Sequence, residues 1–186
     1  MTEYLRLLVV FFAAVNPAAV VLAASGVREG PARAFVRTAA LGLAVAAVLY
    51  VVAVLVADSL LDFLDVAPET FRIAAGIVMA TAGVFAVWRA RVASGPGEGD
   101  WRDGVFPLGI PLLAGPSGLI AALSYGADEG AAKAFFAAAP VLVVAAALLC
   151  TKAGRAHAAA DAVARLTGAL LVVIAAGLIV EGVRDI

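Results

Sequence analysis

Residues 107–118 read PLGIPLLAGPSG. Three prolines (Pro107, Pro111 and Pro116) and three glycines fall inside an apolar run. Proline removes a backbone donor and clashes with the preceding turn, so a helix interior normally excludes it. A helix that starts in this run must therefore stop, turn and start again. The residues around it determine whether such a break is a defect or a device.

Those residues are overwhelmingly apolar. Of 186 residues, 65% are hydrophobic and only 15% charged, where a soluble domain is nearer one half and one quarter. The mean hydropathy is +1.07. A chain of this length cannot hide so much apolar surface from water, so its solvent is read as lipid. The net charge of -1 gives no electrostatic footprint for nucleic acid. The single cysteine, Cys150, lies in an apolar run without metal-ligating companions and is expected to be a packed core thiol.

Six apolar runs, roughly 4–24, 35–57, 71–92, 105–125, 133–151 and 163–183, are each about long enough to cross about 30 Å of hydrocarbon. Backbone groups in lipid must be satisfied within the segment, so the runs are expected to be helices. Abundant alanine and glycine suit close helix packing. The whole chain, 1–186, reads as one membrane domain. The polar stretch 94–104, SGPGEGDWRDG, divides it into halves at 1–93 and 105–186. The small residues Ala23, Ala24 and Ser25 after the first run raise the alternative of a signal peptide. Glu3 in the leading segment and Asn16-Pro17 within the run argue against it.

Nine of the thirteen Lys and Arg residues fall in 25–37, 89–104 and 152–165; Arg6, Arg72, Lys133 and Arg184 fall between the other ends. Positive residues favour the cytoplasmic side, which places the 94–104 linker in the cytoplasm and both termini outside. Trp88 and Trp101 flank that linker as interfacial aromatics.

The halves resemble each other. EGPARAF at 29–35 matches EGAAKAF at 129–135 at five of seven positions; NPAAVVLAAS from Asn16 pairs with GPSGLIAALS from Gly115; FRIAAG at 71–76 pairs with ARLTGA at 164–169. Three spans per half is an odd number, so the second half would be inverted. Transporters built on inverted repeats bind substrate near the midplane on discontinuous helices. Asn16-Pro17 and Gly115-Pro116 are at corresponding places. Pro17 and Pro116 suit the first turn of half-helices, whose free N–H groups near 17–19 and 116–119 would attract a carboxylate. An isolated Asn-Pro would be no more than a kink; two breaks in register argue for function.

Other polar residues are sparse. Asp58, Asp62 and Asp65 read as a solvated outer loop, Glu181 as interfacial and His157 as a surface residue. Asn16, Ser117, Thr81, Ser124 and Tyr50 are polar at depth. Asn16 offers a donor and an acceptor, and Ser117 is expected to cap its half-helix. Thr81 and Ser124 are expected to bond between helices. No nucleophile–base pair, paired carboxylates or metal motif is present, so an enzyme, a cofactor and a metal are not expected.

PLGIPLLAGPSGLI closely resembles the P-x-x-x-P-L-L-A-G-P-G motif of the MarC family, also called the SnatA type. The VNP of the first span, RIAAGIVM at 72–79 and RLTGALLVVIAAGLIVEGVR at 165–184 are similar to its other segments. The resemblance covers most of the chain in order. It implies a six-helix protein of the LysE-like group, with some members transporting small neutral amino acids, notably glycine and alanine. Asn16, Pro17, Ala18, Gly115, Pro116, Ser117 and Gly118 would form the substrate site. Two departures bear on the substrate. The family's N-P-x-G-N-x-P is NPAAVVL here, and Ser117-Gly118 stands where Gly-Ala is usual.

The expectation is thus an all-α, multi-pass protein of a prokaryotic inner membrane, with helices 1 and 4 broken, moving a small neutral amino acid by alternating access. Its partners would be that amino acid and the lipid bilayer, with no nucleic acid and the oligomeric state open. The rivals are an exporter of another small solute and a non-transporting membrane scaffold or regulator.

Overall fold

Helices run wherever the backbone can satisfy itself; the chain breaks before Pro17 and along the prolines of 107–116, whereas the helix over 131–150 continues through Pro140. The computed structural model describes residues 2–24, 32–88, 102–150 and 157–186. Among these residues every regular element is helical: α1 (Thr2–Val15), α2 (Pro17–Ala23), α3 (Ala32–Leu64), α4 (Pro68–Trp88), a proline segment (Gly104–Leu113), α5 (Pro116–Glu129), α6 (Ala131–Cys150) and α7 (His157–Asp185). Five spans are long and apolar enough to cross a bilayer, α1 and α2 counting as one. A sixth exists if the proline segment and α5, bent by 59°, form a single span.

The proline segment breaks for a local reason. A residue before proline is pushed out of the helical region towards extended backbone. Phe106 (φ -127°, ψ 125°) and Ile110 (φ -126°, ψ 125°) both obey this, and the peptide bonds that follow them, to Pro107 and Pro111, are cis. The segment therefore winds in wide turns, closed by the Ala114 N–H on the Gly109 carbonyl at 2.8 Å. It can lie close to α3 because glycine lines the contact. A Cβ on Gly42 would meet the Gly104 carbonyl at 3.0 Å, and one on Gly104 would meet the Thr38 carbonyl at 2.8 Å.

The chain's polar ends fix how the helices run. Arg72, at the start of α4, pairs with Asp185 at the end of α7; Arg165, early in α7, donates to the Val87 carbonyl at the end of α4. The two helices are therefore antiparallel. Glycine faces glycine between them: a Cβ on Gly83 would meet the Gly168 carbonyl at 2.7 Å, and one on Gly168 would meet the Gly83 carbonyl at 3.0 Å. In lipid, where apolar burial does not drive helices together, such close backbone approach is the chief attraction.

Most of the remaining contacts come in pairs. The proline segment packs on α3, and α1 packs on α6. In the same way α5 lies against α3 and α4, while α2 lies against α6 and α7. Tyr50, Phe11, Met79, Leu108 and Leu113 are fully buried where these elements meet. At one end Arg6 meets Glu181, and Arg72 meets Asp128 and Asp185.

α3 is longer than its apolar run. Its 33 residues span about 50 Å at 1.5 Å each, more than the hydrocarbon needs. Asp58 and Asp62 lie on its last turns and not in the loop expected of them, because the helix continues past the apolar run; with Asp65 beyond it they are exposed. Cys150 departs from expectation: it is exposed at the end of α6. An apolar run in lipid has an outward face, so apolar neighbours in sequence do not bury a thiol. Residues 94–101 of the linker, Trp101, the His157 side chain and most of EGPARAF lie outside the described residues.

Candidate functional site

Both breaks border one cavity. Asn16 ends α1 and begins α2. Its backbone is left-handed (φ 49°, ψ 70°), a conformation that asparagine tolerates better than most residues. Its side-chain oxygen accepts the Ala19 N–H at 3.2 Å, and its amide donates to the Ala164 carbonyl of α7 at 2.9 Å. The residue is thus a helix cap and a tie to α7 together. Pro17 follows in the first turn, where its missing N–H leaves nothing unpaired.

The second break is built differently. Gly115, extended at φ -75° and ψ 159°, precedes α5 and offers no side-chain cap. Ser117 does not cap the helix either. Its hydroxyl donates to the Ala14 carbonyl at 2.7 Å, joining α5 to the last turn of α1. The expected cap fails because Ser117 is the second residue inside the helix and Gly115 holds the cap position; its hydroxyl instead meets a carbonyl left without a helical partner at the end of α1.

The cavity between the breaks has a volume of about 370 Å³ and is lined by residues of α1, α2, α4, the proline segment, α5 and α7. Of the seven predicted residues, Asn16, Gly115, Pro116 and Ser117 line it. Pro17 is buried behind the wall. Ala18 packs instead against the small cluster of Leu22 and Ala164. Gly118 turns towards α3, where an added Cβ would overlap the Tyr50 hydroxyl. Sequence reasoning missed Phe85, Ala86 and Leu171 on the wall. They carry no polar signal, and only the packing of α4 on α7 brings them there.

Two opposite helix poles meet at this cavity. Ala13, Ala14 and Val15 present the carbonyl end of α1, with partial negative charge; Gly115, Pro116 and Ser117 present the N–H end of α5, with partial positive charge. By position, the N–H groups of Ser117 and Gly118 have no intrahelical partner. At α2, by contrast, Asn16 already occupies the Ala19 N–H.

Compared with known protein families, the chain matches one described as MarC family integral membrane protein, over residues 1–186, its whole length. The chain belongs to the MarC family. No curated protein and no solved structure matches it.

Several polar side chains of this MarC family protein lie apart from the cavity. Thr81 is exposed and donates to the Ile77 carbonyl of its own helix at 2.8 Å, so it does not bond between helices; a threonine in a helix has that carbonyl within reach at all times. Ser124 is buried on α5 with its hydroxyl unpartnered, and the Tyr50 hydroxyl is unpartnered too. An unmet buried hydroxyl costs about 1–3 kcal/mol. A second cavity, of about 430 Å³, lies at the Arg6–Glu181 end beside Tyr125. Glu181 is thereby an end-of-helix residue, paired with Arg6 at 2.9 Å. Among the described residues no group of His, Cys, Asp and Glu could hold a metal ion.

Proposed function

We propose that this MarC family protein is a secondary transporter that moves a small neutral amino acid across the inner membrane by alternating access. The observation that carries the reading is the meeting of the α1 carbonyl end and the α5 N–H end at one cavity between the breaks. A zwitterion matches this pair. Its carboxylate would lie at the Ser117 and Gly118 N–H groups, and its ammonium at the carbonyls of Ala13 and Val15. A simple anion or cation would satisfy one pole and leave the other unmet. Asn16 contributes by holding the first break open rather than by offering a free amide, since both its polar ends are engaged.

The paired packing supports two inverted three-helix repeats. Exchanging α1 with the proline segment, α2 with α5, α3 with α6 and α4 with α7 turns most helix contacts into others that are present. Repeats of this kind rock about a fixed midplane site. The cavity volume lies within the usual range for small-molecule sites, and its walls at Val20, Phe85, Leu112 and Leu171 are apolar. That lining supports an apolar side chain on the substrate, as the altered first break NPAAVVL does.

The test is uptake of labelled glycine, alanine, valine and leucine into liposomes carrying the purified protein, with and without an imposed proton gradient. Competition by acetate and by methylammonium is measured alongside. Uptake inhibited by other zwitterions and by neither half-ligand supports the reading. Inhibition by acetate alone, or no uptake of any amino acid by folded protein, overturns it and favours export of another solute or a non-transporting role.

A further inference from the structure

We infer that Tyr50 is a further binding residue, whose hydroxyl donates to the carboxylate of the transported substrate at the first turn of α5; the inference rests on the amino-acid reading above. Tyr50 is fully buried, a little past the middle of α3. Its hydroxyl oxygen is one of two buried side-chain polar atoms without a partner among the described residues. The other, on Ser124, sits close enough to its own backbone to reach a carbonyl by rotation. The Tyr50 ring holds its hydroxyl too far out for that. No acceptor bonds it: the Phe11 ring lies edge-on at 6.2 Å, and the hydroxyl abuts Gly118.

The hydroxyl's place is informative. It stands where the first side-chain atom of any other residue at 118 would be. Gly118 is the third residue of α5, the position from which the acidic member of a capping box reaches back to the N-cap N–H, here that of Gly115. Here a donor stands there instead of an acid. Two N–H groups that are free by position and a phenol without a partner belong to one turn; the phenol oxygen can accept as well as donate, yet no bond joins it to that turn. The ligand that satisfies all three is an anionic oxygen pair, and a hydrogen bond to it is charge-assisted. A cation is opposed by the same donors and by the positive helix pole. Ser117 lines the cavity while the next residue backs onto the phenol, so a single turn connects the substrate's space to Tyr50.

The experiment compares Tyr50→Phe with the natural protein in liposomes and in detergent. A merely structural tyrosine with an unmet hydroxyl gives a variant of equal or higher melting temperature and unchanged transport. The inference predicts equal or higher melting temperature together with at least a tenfold rise in KM for uptake and loss of the thermal shift given by the amino acid. Gly118→Ala, whose Cβ displaces the phenol oxygen, is expected to raise KM in the same way. Wild-type KM in either folded variant overturns the assignment while leaving the transport reading intact. If the natural protein itself shows neither uptake nor thermal shift with any amino acid, the transport reading fails first and the Tyr50 assignment falls with it.

Discussion

Ser117 donates its hydroxyl to the carbonyl of Ala14 at 2.7 Å, across 103 positions of sequence. This bond joins the last turn of α1 to the first turn of α5, and so couples the two breaks at the cavity they share. Ser117→Ala leaves a buried carbonyl unmet, at a cost of about 1–3 kcal/mol. The expected result is a lower unfolding midpoint in detergent and altered uptake. An unchanged midpoint would show that water or backbone movement replaces the bond.

Asn16 has two separable roles, and two substitutions separate them. Asn16→Gly keeps the left-handed backbone accessible but loses the cap and the tie to Ala164. Asn16→Ala loses both and also meets the left-handed penalty of about 1–2 kcal/mol. Alanine is therefore expected to be the more destabilising by about that amount, although in ordinary helices it is the better residue. Thermal unfolding of both variants checks the order. Transport should fall in both, because each frees the first break.

The glycines of α7 predict opposite outcomes. A methyl at Gly168 would meet the Ala86 side chain at 2.7 Å and the Gly83 carbonyl at 3.0 Å, whereas one at Gly177 has nothing within 4 Å. Gly168→Ala is expected to lower stability by about 1–3 kcal/mol through overpacking. Gly177→Ala is expected to raise it by about 0.5–1 kcal/mol, the usual gain of alanine over glycine in a helix. Melting temperatures that move together would contradict the packing of α4 on α7.

Burial also ranks the ion pairs. The Arg72 side chain is 21% exposed and that of Asp128 12%, joined by two hydrogen bonds of 2.8 and 3.0 Å. Arg6 and Glu181 are 54% and 48% exposed, where ion pairs contribute little. Arg72→Ala should destabilise clearly and Arg6→Ala hardly at all. Arg72→Lys should recover only part of the loss, since an ammonium cannot copy the two-pronged contact. Denaturation in detergent at low and high salt measures both effects.

Cys150 is exposed at the end of α6, on the side opposite Arg6 and Arg72. The orientation expected from Lys and Arg would place that end in the cytoplasm. A membrane-impermeant maleimide is then expected to label it in inside-out vesicles and to spare it in intact cells. The reverse pattern would invert the orientation inferred from Lys and Arg.

Much of this architecture was readable in the residues. Five of the six apolar runs coincide with candidate spans among the described residues, and the run at 105–125 with a bent helix pair, because lipid demands length and self-satisfied backbone. The prolines located both breaks, and the extended backbone at Phe106 and Ile110 follows from the prolines after them. α3 outran its apolar stretch because DSLLDFL, 58–64, is polar enough to leave the bilayer yet still helical. Four of the seven predicted site residues line the cavity. The other three, Pro17, Ala18 and Gly118, do not line it, because a break fixes where a chain turns and not which way its next side chains point: Gly118 faces α3, and Ala18 faces α7. The Ser117–Ala14 bond and the wall at Phe85 and Leu171 depend on partners distant in sequence, for which no local pattern exists.

The glycine contact between α4 and α7 also bears on how the chain is made. The ribosome releases α4 well before α7, with the proline segment, α5 and α6 in between. Through that interval the groove at Gly76 and Gly83 has only lipid to lie against, and lipid tails fit a bare backbone groove poorly. The first half of the molecule thus enters the membrane with its closest-fitting surface vacant. Completion of the second half seals both at one stroke, so the order of synthesis makes the join between halves a late event in assembly.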